Sequence, residues 1–183
     1  NYTLIIAVPM TVYFMAYARE CILFLSGDMF LPAVPAMWII MPTLILIGMT
    51  NILGIQILVP TGREKLVLIS EIGGAVTDVV LNALFIPRFG AAGAALGTLC
   101  AEGAVLIIQM YYLRDQISGI FAAISYKKLM IANILSLCVI ILIKYIDFRH
   151  VIVSLAVSSV SYGAVYFGIL LALRESFAVQ CLG

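Results

Sequence analysis

The stretch that decides the fold runs from Gly54 to Glu102 and reads GIQILVPTGREKLVLISEIGGAVTDVVLNALFIPRFGAAGAALGTLCAE. A charged hairpin at residues 60–65 (PTGREK) and a tight turn at residues 87–90 (PRFG) separate its apolar segments. At about 1.5 Å per residue, the segments beyond the hairpin and beyond the turn are each long enough to cross the ~30 Å hydrocarbon core of a bilayer. The stretch therefore predicts two antiparallel membrane helices.

The composition of the whole chain agrees with this prediction. Hydrophobic residues make up 64% of the sequence and charged residues only 10%, whereas an ordinary soluble domain carries about 25% charged residues. The formal net charge of +1 provides no basic surface, so no nucleic-acid partner is expected. The composition predicts an integral membrane protein whose surroundings are the lipid bilayer.

Hydropathy along the chain predicts an all-α, polytopic transmembrane helical bundle. An amphipathic connector at residues 114–128 is expected to lie in the membrane interface. About six spans are predicted, at residues 3–25, 33–59, 65–87, 91–113, 129–145 and 151–173.

The second predicted span is longer than the bilayer core and contains three features of interest. Pro42 cannot donate a helical hydrogen bond, so it marks the expected bend. Asn51 and Gln56 lie late in the span. At about 100° per residue of an α-helix they are about 140° apart, which predicts that they do not share a face.

Polar residues inside the third and fourth spans are the candidate functional residues. In the third span, Glu71, Asp78 and Asn82 fall within a stripe of about 40° on one helix face. In the fourth span, Glu102 and Gln109 fall on one stripe together with Thr98. Strongly polar groups in membrane helices are costly and face protein or water rather than lipid tails.

Asp78 and Glu102 are predicted to lie at a similar depth in the membrane. Asp78 lies about 20 Å along the helix axis from Lys65, and Glu102 lies about 18 Å before Arg114. Since the two helices are predicted to be antiparallel neighbours, both carboxyl groups are expected near the middle of the bilayer. The sequence leaves open whether they face each other.

Two interpretations of these polar residues remain open. In the functional one they line a central cavity and bind a substrate or a coupling ion. In the structural one they form hydrogen bonds with polar groups on neighbouring helices, and Glu102 lies beside the small-residue run around Gly93 and Gly97, which favours helix packing. Glu71, nearer the hairpin, has Arg63 or Lys65 as a further candidate partner.

The sequence contains no catalytic motif, so no enzyme activity is predicted. The four cysteines are scattered in or beside apolar segments, without a C-x-x-C pattern, and His150 is the single histidine. We therefore expect no metal site and no cofactor.

The ordered pattern of residues around the hairpin and the turn resembles the C-terminal half of the polysaccharide flippases in the multidrug/oligosaccharidyl-lipid/polysaccharide exporter superfamily. Asp78 departs from the family pattern, which has Asn at this position. The matching residues are Gln56, Leu58, Pro60, Gly62, Arg63, Lys65, Ile72, Gly73, Leu81, Asn82, Ile86, Pro87, Gly90, Gly93, Ala94, Ala95, Thr98 and Glu102.

The resemblance implies a transporter that flips lipid-linked oligosaccharide or polysaccharide repeat units, with H⁺ or Na⁺ as a candidate coupling ion. It implies that residues 1–118 form four helices of one transporter lobe and that residues 119–183 form the connector and two terminal helices. The chain is then a fragment that needs the N-terminal half of the transporter as its partner. The alternatives are a multidrug/cation antiporter, a flippase of the peptidoglycan lipid precursor, or a non-transporting membrane scaffold.

The distribution of basic residues predicts an orientation in the plasma (inner) membrane. The side that carries the Arg63–Lys65 hairpin has six Lys and Arg residues, and the opposite side has four. By the positive-inside rule, both ends of the chain and the hairpin are expected to be cytoplasmic. The six are Arg63, Lys65, Arg114, Lys127, Lys128 and Arg174, and the four are Arg19, Arg88, Lys144 and Arg149.

Overall fold

The computed structural model describes residues 2–122, 126–144 and 150–173, and within them every regular element is helical. A 3₁₀-helix at Asp28–Ala33 and a π-helical segment at Asn51–Leu58 interrupt the series of α-helices. The α-helices are α1 (Tyr2–Ala16), α2 (Ala18–Ser26), α3 (Val34–Ile40), α4 (Thr43–Thr50), α5 (Glu64–Phe89), α6 (Ala91–Tyr112), α7 (Ile117–Ala122), α8 (Tyr126–Lys144) and α9 (Val151–Ala172).

The predicted all-α membrane bundle is confirmed by the length and apolar character of these helices. Within the described residues, four segments are long and apolar enough to cross a membrane, and α1 with α2 makes a fifth if the pair is one bent span. The four are Asp28–Leu58, Glu64–Phe89, Ala91–Tyr112 and Val151–Ala172. Helix α8 covers most of the remaining predicted span, whose last residue, Tyr145, lies outside the described residues.

The first predicted span is not one straight helix. Helices α1 and α2 meet at Tyr17 with a bend of 77°. Neither proline nor glycine lies at the break, since the local sequence is Met15-Ala16-Tyr17-Ala18. The break is accompanied by a tertiary contact: Lys144 of α8 donates a hydrogen bond to the carbonyl oxygen of Ala16 at 2.5 Å.

The second span is interrupted where proline predicts it. Helix α3 ends at Ile40 and α4 begins at Thr43, with Met41 and Pro42 between them. The hydroxyl of Thr43 donates to the carbonyl oxygen of Ile40 at 2.5 Å, which satisfies one acceptor at the interruption. Pro42 therefore divides the α-helical hydrogen bonding of this segment.

The prediction that Asn51 and Gln56 lie on different faces is wrong. Residues 51–58 form a π-helix, in which the amide nitrogen of residue i+5 bonds to the carbonyl of residue i. The wider turn brings residues five apart onto one side, and Gln56 Nε2 lies 3.4 Å from Asn51 Oδ1. The same spacing continues after the segment, because Val59 donates to the Gly54 carbonyl at 3.0 Å.

The chain forms two compact units. One contains residues 1–31 and 125–183, and the other contains residues 32–124. The family resemblance assigns residues 1–118 to one transporter lobe and residues 119–183 to the connector and two terminal helices. This assignment stays a prediction.

In the unit that contains both ends of the chain, aromatic residues of α1 and α9 pack together, and tyrosine hydroxyl groups among them form hydrogen bonds. The Tyr13 hydroxyl lies 3.0 Å from the Ser158 hydroxyl, and the Tyr166 hydroxyl donates to the Ile5 carbonyl at 2.8 Å. Tyr162 donates to Asn133 Oδ1 on α8 at 3.0 Å. Each of these three phenol oxygens has a partner, whereas the Tyr17 hydroxyl of the same unit is buried without one among the described residues.

The other unit is built around the antiparallel pair α5 and α6. Gly90 joins them with a φ of +54°, a backbone conformation that glycine adopts without steric cost. A buried apolar cluster of Leu53, Leu58, Leu106 and Leu113 anchors the π-helical segment against α6. This arrangement holds the polar face of α5 next to α6.

Candidate functional site

Small residues bring α5 and α6 close together over most of their length. A Cβ added to Gly93 would clash with the Phe85 carbonyl of α5, and one added to Gly97 would clash with Asn82 Oδ1. From the opposite helix, a Cβ added to Gly74 would clash with the Val105 side chain. The small-residue run of α6 therefore packs directly against α5, as its spacing predicts.

This close contact places three carboxyl groups along one groove. A cavity of about 230 Å³ is lined by Glu71 and Asp78 from α5 and by Thr98 and Glu102 from α6. We call this surface the acidic groove. Thr98 Oγ1 lies 3.4 Å from Asp78 Oδ1, a long contact that links the two helices. The structure thus answers the question that the sequence left open: Asp78 and Glu102 border the same cavity.

A second cavity of about 230 Å³ adjoins the acidic groove, because Glu71 and Glu102 line both. Its other polar walls are Thr50 and Asn51 from the end of α4 and the start of the π-helical segment, and Gln109 from α6. We call this cavity the amide cleft. The two cavities together make one polar surface on a unit that is otherwise rich in apolar residues.

Gln109 is the most buried polar side chain of this surface, with an exposed fraction of 1%. Its Nε2 lies 3.2 Å from the Ser70 hydroxyl oxygen, and Ser70 in turn donates to the Val67 carbonyl at 2.7 Å. The other amide atom, Gln109 Oε1, is buried without a hydrogen-bond partner among the described residues. An unsatisfied buried acceptor costs about 1–3 kcal/mol, so it calls for an explanation.

Glu71 and Glu102 have no hydrogen-bond or ion-pair partner within the described part of the chain. The interpretation in which Glu102 bonds to a polar group of a neighbouring helix therefore finds no such group there. Likewise, neither Arg63 nor Lys65 forms an ion pair with Glu71 among the described residues, and both basic side chains are exposed at the hairpin. The side chains of Glu71 and Glu102 are therefore available to contact a ligand in either cavity.

Asn82 takes a different position from the other members of its stripe. Its Oδ1 lies against the Cα of Gly97 and is buried without a partner among the described residues. It is not part of the wall of the acidic groove. The structure therefore brings together Glu71, Asp78, Glu102 and Gln109 and places Asn82 one turn farther along α5, in the helix contact.

Sequence reasoning missed two residues that line this surface, Thr50 and Asn51, and the buried Ser70 that bonds to Gln109. Ser70 and Thr50 are hydroxyl residues that a helix can satisfy with its own carbonyl groups, so neither attracts attention in a sequence. For Asn51 the sequence predicts α-helical geometry, which the π-helical segment does not follow. The signal that was available for Ser70 is its position directly before Glu71 in the sequence.

Comparison with known proteins finds a relative that is a membrane protein. The chain is 30% identical over 169 residues to an uncharacterized membrane protein of Methanocaldococcus jannaschii, an alignment that covers 92% of this chain and 32% of that protein. The chain thus spans about a third of the length of this relative. No protein-family model matches the chain, and no solved structure matches it.

Both the relative and the helices of this structure indicate a membrane protein. The relative is a membrane protein, and several helices of this chain have the length and apolar composition of membrane spans. The chain is therefore a multi-pass membrane protein that contacts the lipid bilayer.

Proposed function

We propose that this chain is the C-terminal part of a transporter that flips lipid-linked oligosaccharide or polysaccharide repeat units across the plasma membrane. The observation that supports the proposal most directly is the polar surface made by the acidic groove and the amide cleft. Three carboxyl groups inside membrane helices are tolerated only where they face protein or a water-filled cavity. A transport cavity completed by another part of the protein provides such surroundings.

In this proposal, α5 and α6 form part of one wall of a central cavity. Alternating access then arises from movement of two helical lobes around a site near the middle of the bilayer. The N-terminal half of the transporter supplies the opposite wall. The relative is about three times as long as this chain, which leaves room for the helices of an opposite wall.

The residues of the polar surface have separate roles in the proposal. Glu71, Asp78 and Glu102 accept hydrogen bonds from glycan hydroxyl groups or carry a coupling H⁺ or Na⁺. Arg63 and Lys65 lie at the exposed hairpin, where basic side chains favour the cytoplasmic side and its anionic lipid surface. We propose no catalytic role for any residue of the chain.

The experiment uses the full-length gene carrying Asp78→Asn or Glu102→Gln in a strain that lacks the native gene. We expect less surface polysaccharide and accumulation of the lipid-linked precursor on the cytoplasmic side, because each change removes a carboxylate from the acidic groove. Asp115→Asn is the matched control, since Asp115 is exposed and lies outside the groove. Normal export in both groove variants, at equal protein levels, would contradict the proposal.

A multidrug/cation antiporter is the second candidate. It is favoured by the absence of any Lys or Arg side chain from the described walls of both cavities, which leaves three acidic groups without a basic counterpart. Deletion of the gene distinguishes the candidates. Increased susceptibility to cationic drugs with unchanged surface glycan supports the antiporter, whereas lost surface glycan supports the flippase and arrested cell-wall synthesis indicates a peptidoglycan-precursor flippase.

A further inference from the structure

The amide cleft offers mainly hydrogen-bond acceptors, and the Asn51 amide, whose Oδ1 lies 3.4 Å from Gln56 Nε2, adds the donor atom Nδ2. Glu71 and Glu102 contribute carboxyl oxygens, which accept hydrogen bonds, and Gln109 contributes its Oε1, which has no partner among the described residues. The Thr50 hydroxyl already donates to the Ile47 carbonyl at 3.1 Å. A ligand that suits this cleft therefore brings several donors and, for Asn51 Nδ2, an acceptor such as a hydroxyl oxygen.

The orientation of the Gln109 amide follows from its neighbours. Ser70 uses its single hydroxyl proton to donate to the Val67 carbonyl, so its oxygen can only accept from Gln109. The amide nitrogen must then be the atom near Ser70, and the oxygen is the atom left without a partner. The acceptor character of Gln109 is thus fixed by a chain of two hydrogen bonds.

The dimensions of the cleft disfavour a bare ion as its sole occupant. Its volume of about 230 Å³ corresponds to several water molecules at roughly 30 Å³ each. In addition, no group of three or more His, Cys, Asp or Glu side chains among the described residues is placed to hold one metal ion. The acceptors are spread over the walls, which suits a larger group with several donor atoms.

We propose that the amide cleft binds a protonated primary amine carried on a polar unit the size of a sugar ring, such as an amino sugar. The ammonium group has three donors and a positive charge, which relieves the repulsion between Glu71 and Glu102. Charge-assisted hydrogen bonds of this kind are about twice as strong as neutral ones. The inference rests on the proposed function only for the sugar that carries the amine.

The test measures binding to the purified full-length protein in detergent by calorimetry. The probes are glucosamine, its neutral counterpart N-acetylglucosamine, and sodium chloride, in a mildly acidic potassium phosphate buffer that contains no other amine. We expect glucosamine to bind at least tenfold more tightly than N-acetylglucosamine. Glu71→Gln and Gln109→Leu should each weaken glucosamine binding at least tenfold, whereas Glu64→Gln, at the exposed hairpin end of α5, should leave it unchanged.

The outcomes separate this inference from the proposed function. Equal binding of the two sugars, binding of sodium alone, or no binding overturns the inference, and the export assay with Asp78→Asn still decides the transporter proposal. Selective glucosamine binding that Glu71→Gln abolishes supports the inference, even where the groove variants export polysaccharide normally. If Gln109→Leu does not fold, Glu71→Gln remains decisive, because Glu71 is exposed.

Discussion

The amide nitrogen of Gln109 on α6 lies 3.2 Å from the hydroxyl oxygen of Ser70 on α5, and both side chains are buried. This hydrogen bond joins the two helices beside the amide cleft. It also determines which atom of Gln109 lacks a partner. The contact therefore links helix packing to the chemistry of the candidate site.

Ser70→Ala should destabilise the protein. The substitution leaves the buried Nε2 of Gln109 without an acceptor, and the expected cost is about 1–3 kcal/mol. Thermal unfolding of the purified full-length protein in detergent measures the effect. Ser159→Ala is the control, because the Ser159 hydroxyl is exposed and donates to the Ala156 carbonyl of its own helix. Equal unfolding temperatures for the two variants would contradict this role of Ser70.

Gly97→Ala should separate α5 from α6. Its new methyl group would clash with Asn82 Oδ1, and overpacking of this kind costs about 1–3 kcal/mol. Gly103→Ala is a matched control on the same helix, since its new methyl group meets nothing within 4 Å. Alanine is the better helix former, so the control should be neutral or more stable by up to about 1 kcal/mol. Unfolding temperatures in detergent compare the two, and a Gly97→Ala protein as stable as the control would contradict the close packing.

Lys144→Met should weaken the bend between α1 and α2. Lys144 donates to the Ala16 carbonyl, lies 3.7 Å from Glu20 Oε1, and lies 4.8 Å from the centre of the Tyr17 ring. Removing the ammonium group loses all three interactions, with an expected cost of about 1–3 kcal/mol.

Cys21 of α2, four residues beyond the bend, is 7% exposed, so its reaction with a thiol reagent reports local opening. We expect faster labelling of Cys21 in Lys144→Met, measured in a protein whose other cysteines are replaced by serine. Lys127→Met, at the exposed start of α8, is the control. An unchanged labelling rate would show that Lys144 does not hold the bend.

Tyr162→Phe should remove a buried hydrogen bond between α9 and α8. The Tyr162 hydroxyl donates to Asn133 Oδ1 at 3.0 Å, and both side chains are buried. The loss leaves that oxygen unsatisfied, with an expected cost of about 1–3 kcal/mol. In thermal unfolding, the double variant with Asn133→Leu should recover part of the loss, because both polar groups are then absent. Additive effects of the two substitutions would contradict the pairing.

The helices of α5 and α6 could be predicted from sequence because long apolar segments and turn residues encode them locally. The close contact of Gly93 and Gly97 with α5 follows from small-residue spacing in the same way. The position of Asp78 beside Glu102 could not be predicted, since helix rotation depends on how Gly74 and Val105 pack. The local sequence predicts which polar residues share a face of each helix. The packing of the two helices determines that Asp78 lies near Glu102.

The bend at Tyr17 and the π-helical segment could not be predicted for a related reason. The sequence around Tyr17 contains no helix breaker, and the bend is stabilised by Lys144, which is distant in the chain. The π-helical segment has the composition of an ordinary apolar helix, and its anchor is the leucine cluster shared with α6. In both places a tertiary contact determines the backbone, and the surrounding sequence alone gives no indication of it.

The π-helical segment has a consequence for how this protein tolerates changes of length during evolution. A π-helical turn holds one residue more than an α-helical turn, so deletion of one residue between Asn51 and Leu58 can be absorbed by a return to α-helical bonding. The same deletion early in α6 would rotate Glu102 and Gln109 by about 100° around the helix axis. Homologues with one residue fewer are therefore expected to have their gap in the first of these places and not in the second.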